Sequence, residues 1–153
     1  VKELAQPSVG FRGLLENRLD EISKLAEAFE KWATDARVPQ ATIRAVNLML
    51  DELISNVVMY AYPASQRGEI LVDAWISPGQ LEVRLTDHAF AFNSLQARQP
   101  DVRADIDDRR IGGLGIHFVR QLADVVTYER TTEGGQEVNR VHIVKRYVPD
   151  SEH

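Results

Sequence analysis

Leu50-Asp51-Glu52-Leu53-Ile54-Ser55-Asn56-Val57-Val58-Met59-Tyr60-Ala61-Tyr62 is the stretch on which the fold turns. Leu50, Leu53, Ile54 and Val57 recur at helical steps, as in a helix with one buried face. Glu52 and Asn56 lie four residues apart, so their side chains stack on one face and their polar ends can converge. A carboxylate can take a proton, and an amide oxygen is a hard ligand suited to Mg²⁺. Two readings fit the pair. One is a base and a metal contact on a shared helix face; the second is a Glu and an Asn on the solvated side of an amphipathic helix.

Ile43 and Val46 carry the same face backwards, so the helix is expected over residues 39–60. Pro39 suits its first turn, where a missing N–H has no partner to lose. Pro63 and the polar run to Gly68 end it. Upstream, Leu19, Ile22, Leu25, Ala26, Phe29 and Ala33 predict a first helix over 18–36. Residues 1–10, with Pro7 and Gly10, are a loose lead-in to a short strand at 11–15. Downstream, segments 69–76 and 81–86 are rich in β-formers and flank Ser77-Pro78-Gly79-Gln80, a hairpin signal. Residues 93–110 are polar, aspartate-rich and without period, which predicts a long loop. Ile116, Val119 and Leu122 indicate a third helix ending near Ala123, followed by strands at 125–129 and 138–147 around a turn at 131–135. This order predicts an α+β two-layer sandwich with helices on one face of a mainly antiparallel, mixed sheet. Residues 11–148 form the single domain and 149–153 a tail.

The chain has 153 residues, 44% of them hydrophobic, enough for one core. Its net charge of -5, from 23 acidic and 18 basic side chains, argues against nucleic acid as a partner. With no cysteine there is no disulfide, thiolate nucleophile or cysteine-ligated zinc. No stretch approaches the ~20 apolar residues of a membrane span, and the start lacks a basic-then-apolar signal pattern. The expected setting is cytoplasmic, away from membranes.

Two further motifs could carry chemistry. Ile111-Gly112-Gly113-Leu114-Gly115-Ile116 stands immediately before the third helix. Glycines let backbone N–H groups approach a ligand, and a helix N-terminus favours phosphate, so the motif reads as a phosphate cradle or as an ordinary loop-to-helix turn. It is neither a Walker A loop nor a GxGxxG dinucleotide turn. Asp87, at the end of the strand over 81–86, could accept a hydrogen bond from the amino group of adenine, or could cap a turn. His88, His117 and His142 form no cluster with metal-ligand spacing.

Taken together these boxes resemble the GHKL ATPase superfamily, and more closely its anti-sigma-factor serine/threonine kinases. The family's Glu-x-x-x-Asn is matched by Glu52 and Asn56, and its Asp-x-Gly by Asp87-His88-Ala89. Phe92-Asn93 resembles its Phe-Asp. Gly112 to Ile116, then Ala123-Asp124, match its second glycine box. Asn139 to Lys145 resembles its closing Asn-x-x-x-x-x-Lys strand. The resemblance spans most of the chain and implies a HATPase-like Bergerat ATP-binding fold.

It also implies ATP and Mg²⁺ as cofactors. Glu52 is then the general base and Asn56 the Mg²⁺ contact. Asp87, Ala89 and Phe92 line the base site. Gly112, Gly113, Leu114 and Gly115 hold phosphate, residues 93–110 form a lid, and Arg109 and Arg110 reach phosphate or remain a solvated basic pair. The implied protein phosphorylates a STAS-domain anti-anti-sigma antagonist, sequesters a sigma factor and forms a homodimer. Two positions depart from the family pattern. Ala89 puts a methyl group where glycine would let backbone approach adenine, and His142 replaces a small hydroxyl residue near the base. Ala89 favours instead a non-catalytic partner-switching module with weak ATP binding. The same boxes also suit the ATP-binding domain of a histidine kinase, or an ATPase driving conformational change in a larger protein.

Overall fold

Ile70, Val72 and Ala74 alternate with Leu71, Asp73 and Trp75, a period of two that sends the two sets to opposite faces of a sheet. A computed structural model describes residues 2–3, 10–63, 66–96 and 113–149, the side chains of 2, 3, 113 and 114 excepted. Its strands are β1 (Lys2–Glu3), β2 (Phe11–Glu16), β3 (Glu69–Ser77), β4 (Gln80–Asp87), β5 (Val125–Glu133) and β6 (Gln136–Arg146). The helices are α1 (Ile22–Asp35), α2 (Gln40–Asn56) and α3 (Gly113–Leu122). Among the described residues the strands form one sheet in the order β1-β2-β3-β4-β6-β5.

Phe11, Leu15, Ile70, Val72, Leu81, Val83, Leu85, Val141 and Ile143 share one core with Leu25 and Phe29 of α1, Ile43, Val46, Leu53 and Ile54 of α2, and Ile116 and Val119 of α3. That is the expected α+β sandwich. The opposite face carries a polar row in direct register, Arg12 beside Asp73, Asp73 beside Arg84 and Arg84 beside His142. Buried Asp73 there pairs with Arg12 at 2.7 Å and with Arg84 at 3.2 Å.

Turn chemistry sets the connections. Gly79 at φ 74 follows Pro78 in the β3–β4 hairpin, and Gly134 and Gly135, at φ 58 and 80, close the β5–β6 hairpin. Such angles are cheap only for glycine. At the end of α1, Arg37 takes φ 64, and the N–H groups of Arg37 and Val38 donate to the carbonyls of Thr34 and Ala33. This closes the helix as a Schellman motif and turns the chain into α2.

Several expectations change. The sheet is not mixed, because every strand pairing among the described residues is antiparallel. The lead-in contributes β1, since Lys2 and Glu3 pair with Leu14 and Gly13 of β2. The first helix begins as a 3-10 turn at Leu19–Glu21. The second ends as α-helix at Asn56 and continues as a wider π-turn over Val57–Ala61. The third begins at Gly113, so Gly113, Leu114 and Gly115 are its first turn and not a loop before it. Of the expected lid, only Asn93 to Gln96 are described, with a 3-10 turn at Ser94–Gln96. No helix among the described residues is long and apolar enough to cross a membrane.

Phe29 is fully buried and meets the Phe11 ring edge-on at 5.8 Å. Phe29→Ala is expected to cost about 3–5 kcal/mol in urea unfolding. Val125→Ala, on the exposed edge strand, should change stability by less than about 1 kcal/mol.

Candidate nucleotide site

Glu52 meets the head of α3. A Cβ placed on Gly115 would lie 1.8 Å from Glu52 Oε2 and 2.3 Å from its Cδ. Only a residue without a side chain lets the carboxylate rest there. The glycine of the third motif therefore makes room for the Glu52 carboxylate, which lies at the first turn of α3, where a helix has its positive dipole end. Glu52 is half-buried. Burial first, and the neighbouring charge of Asp51 second, push its carboxyl above the usual value.

One turn further along α2, Asn56 is buried at 1% exposure, and its Nδ2 has no hydrogen-bond partner among the described residues. An unpartnered buried amide is costly unless a ligand completes it. The same amide can turn its oxygen towards a cation. A metal held by one amide and the phosphates of a nucleotide fits this chemistry better than an all-protein cage, since Mg²⁺ keeps few protein ligands. Among the described residues no cluster of three or more acidic or histidine side chains is present.

Asp87 ends β4, buried, and its carboxylate Oδ1 accepts from Ala89 N–H at 3.0 Å and Asn139 Nδ2 at 2.9 Å. Burial, the largest influence, raises its carboxyl above the usual value despite those bonds and the charges of His88 and Arg130. The following loop is pinned from three sides. Asn139 Nδ2 donates to Phe90 O at 2.6 Å and its Oδ1 accepts from Phe92 N–H at 3.1 Å. Arg130 donates to Ala89 O at 2.9 Å. The Tyr62 hydroxyl donates to Glu69 O at 2.9 Å and accepts from His88 N–H at 3.2 Å. Burial pushes the Tyr62 phenol up to about 12, so it stays a donor. The Phe92 ring lies 6.2 Å from that of Tyr60. Because Tyr60 and Tyr62 directly continue α2, the Glu52/Asn56 half and the Asp87 half are tied through one chain segment.

The two departures now have a structural meaning. Arg37 is the sole described non-glycine residue with positive φ, so Ala89 holds an ordinary backbone angle, and its methyl is buried in the core cluster. His142 lies on the opposite face of the sheet, stacked on Trp75 at 5.8 Å and 3.1 Å from Glu82. The residue opposite Asp87 is Asn139, so the expectation that His142 removes a polar partner near Asp87 is corrected. Arg109, Arg110 and Gly112 lie outside the described residues, and of Gly113 and Leu114 only the helical backbone is described. Tyr62, Tyr128 and Arg130 are site residues that the sequence does not single out. Tyr62 sits at the end of the decisive stretch, whereas nothing in their spacing marks Tyr128 and Arg130.

The remaining boxes are structural ties. Lys145 Nζ donates to Leu122 O at 2.7 Å, capping the C-terminal end of α3. Asp124 accepts from Arg146 N–H at 2.6 Å and its own N–H donates to Val144 O at 2.9 Å. They hold α3 against β6.

An α+β sandwich with a helix-borne carboxylate resting on a glycine at the head of a second helix is the architecture of an ATPase-type domain of the GHKL class. The family of histidine kinase-like ATPase domains matches residues 15–141, and the chain belongs to it. Over 98 residues it is 33% identical to the serine-protein kinase RsbW of Listeria monocytogenes serovar 1/2a, covering 61% of this chain and 62% of that protein. RsbW of Listeria innocua is 32% identical over the same length and coverage. The serine/threonine-protein kinase BtrW of Bordetella bronchiseptica is 24% identical over 101 residues, 66% of this chain and 67% of its own. The chain thus spans about three fifths of the RsbW proteins it matches, 62% of their length.

The missing Cβ at Gly115 has a measurable consequence. Gly115→Ala must push the Glu52 carboxylate out of its place, a cost that the better helix propensity of alanine partly offsets, so a net loss of no more than about 1 kcal/mol is expected. In the Glu52→Ala/Gly115→Ala double variant much of that loss should return. A coupling of about 0.5 kcal/mol or more in urea unfolding is expected; strict additivity would mean the two groups do not meet.

Proposed function

We propose that this protein is an ATP-dependent serine/threonine protein kinase of the cytoplasm that also acts as an anti-sigma factor. The observation that carries the reading is the convergence of Glu52 on Gly115 at the head of α3, with the unpartnered amide of Asn56 one turn along the same helix face. The names of the Listeria and Bordetella relatives support it. Its substrate is a STAS-domain antagonist, and its second partner, when that antagonist is unavailable, is a sigma factor. A homodimer is the proposed assembly.

Glu52 accepts the proton of the substrate's serine or threonine hydroxyl. Burial and Asp51 make its carboxylate a stronger base than an exposed glutamate, which suits proton transfer near neutral pH. Asn56 holds Mg²⁺, whose charge when bound neutralises phosphate oxygens. Backbone N–H groups at Gly113, Leu114 and Gly115 offer donors to the same phosphates, with Gly112, Arg109 and Arg110 proposed to complete that end. Asp87 reads the base, with Ala89 and Phe92 in its loop. Phosphoryl transfer asks chiefly for positioning and charge neutralisation, and the proposed roles would meet both demands. The ordinary backbone angle of Ala89 and its methyl, buried in the core, favour the catalytic reading over the non-catalytic module.

Transfer of labelled phosphate from ATP to a STAS-domain protein is the test. Glu52→Ala should lower the rate by about 10²-fold or more while nucleotide still binds, whereas Asn56→Ala should weaken Mg²⁺-dependent binding itself. Because the base must be deprotonated, the wild-type rate should fall as pH drops through a value above the usual glutamate range, and rise to a plateau above it. Equal phosphorylation by wild type and both variants would remove Glu52 and Asn56 from their roles.

A further inference from the structure

Strand pairing places Asn139 of β6 directly between Asp87 of β4 and Arg130 of β5. Its side chain is buried at 2% exposure and engages five groups. The amide nitrogen donates to Asp87 Oδ1 at 2.9 Å and Phe90 O at 2.6 Å. The amide oxygen accepts from the Tyr128 hydroxyl at 2.6 Å, Phe92 N–H at 3.1 Å and an Arg130 guanidinium nitrogen at 3.1 Å. Every donor and acceptor of the amide is therefore used, and Asp87, Phe90 and Phe92 all belong to the loop that leaves β4.

Both hydrogen bonds that Asp87 accepts among the described residues fall on Oδ1. Oδ2 is left as the oxygen that can accept from a ligand. A carboxylate free to rotate would spread its four lone-pair sites over many directions; one whose first oxygen is held by two donors presents the second in a fixed direction. Fixing an acceptor before the ligand arrives removes part of the ordering cost of binding.

We infer that Asn139 is the positioning residue for base selection: by clamping Asp87 Oδ1 and the backbone at Phe90 and Phe92, it aims Asp87 Oδ2 at an exocyclic amino group and so sets preference for an amino-purine over a keto-purine. This rests on the nucleotide-binding reading above. Tyr128 and Arg130 act one step further out. They supply two of the three donors to the Asn139 oxygen, and Arg130 also holds Ala89 O at 2.9 Å. The edge hairpin β5–β6 is thereby coupled to the base site without touching the ligand. An ordinary core role would be met more cheaply by an apolar residue, since a buried amide stabilises only if all its bonds are made.

The experiment compares binding of Mg-ATP and Mg-ITP, which differ at the amino and keto group, by calorimetry on the full chain. The wild type should prefer ATP. Asn139→Ala should weaken ATP by roughly tenfold or more, the scale of a lost charge-assisted hydrogen bond, while leaving ITP affinity within about twofold. Asn139→Asp keeps the acceptor but sets a second carboxylate beside Asp87, and should lose the preference too. A merely structural role would lower both affinities in parallel and overturn the inference, as would an unchanged ATP-to-ITP ratio. Wild type that binds neither nucleotide would overturn the nucleotide reading and this inference with it. Should the Asn139 variants not fold, Tyr128→Phe serves instead: faster amide hydrogen exchange at Phe92 with a reduced ATP-to-ITP ratio supports the inference, and unchanged exchange and ratio refute it.

Discussion

Space for one carboxylate at the head of α3 governs the arrangement of the site. Glu52 Oε2 occupies the volume that a side chain at position 115 would need, so the carboxylate can rest there only because residue 115 has no Cβ. The positive end of α3 is thereby set beside a carboxyl that burial and Asp51 push above its usual value. One turn along α2 the Asn56 amide is interior, its Nδ2 without a partner among the described residues.

The second half of the site depends on a different device. Its loop is not shaped by glycine freedom but by side-chain hydrogen bonds reaching in from neighbouring elements, from Asn139 of β6, Arg130 of β5 and Tyr62 in the segment that follows α2. A buried polar network of this kind is expensive when incomplete and rigid when complete. Lys145, six residues after Asn139 and so on the same face of β6, caps α3 at Leu122. One strand therefore fastens the loop after β4 at one end and α3 at its far end, which gives the closing Asn-to-Lys spacing a mechanical reason.

Where the sequence misleads, the cause is local reasoning about residues whose neighbours are distant. Gly112 to Gly115 read as a turn because glycines disfavour helices, yet Gly113 and Gly115 are helical, the cost of Gly115 being offset by the helix contact it permits. Motif spacing sets His142 beside the base, whereas three residues along a strand from Asn139 reverses the face and puts it on Trp75. Ala89 looks like a steric obstacle when a motif position is treated as a backbone requirement, and its actual backbone is ordinary. A sheet with mixed pairing is the expectation because strand order across the α3 crossover is not encoded in any one segment.

Periodicity determined that Glu52 and Asn56 share a helix face, and turn residues placed the hairpin turns within 77–80 and 131–135, since these follow from side-chain direction and dihedral preference within a few residues; the structure narrows the second to Gly134-Gly135, with β5 running on to Glu133. The order and spacing of the boxes also determined the family. Tertiary structure decided which glycine faces which carboxylate, that Asn139 pairs with Asp87 while His142 lies on the other face of the sheet, and that Tyr62, Tyr128 and Arg130 join the hydrogen-bond network around the loop after β4. Those pairings join residues far apart in the chain, and each depends on strand register and helix packing, which local sequence does not specify.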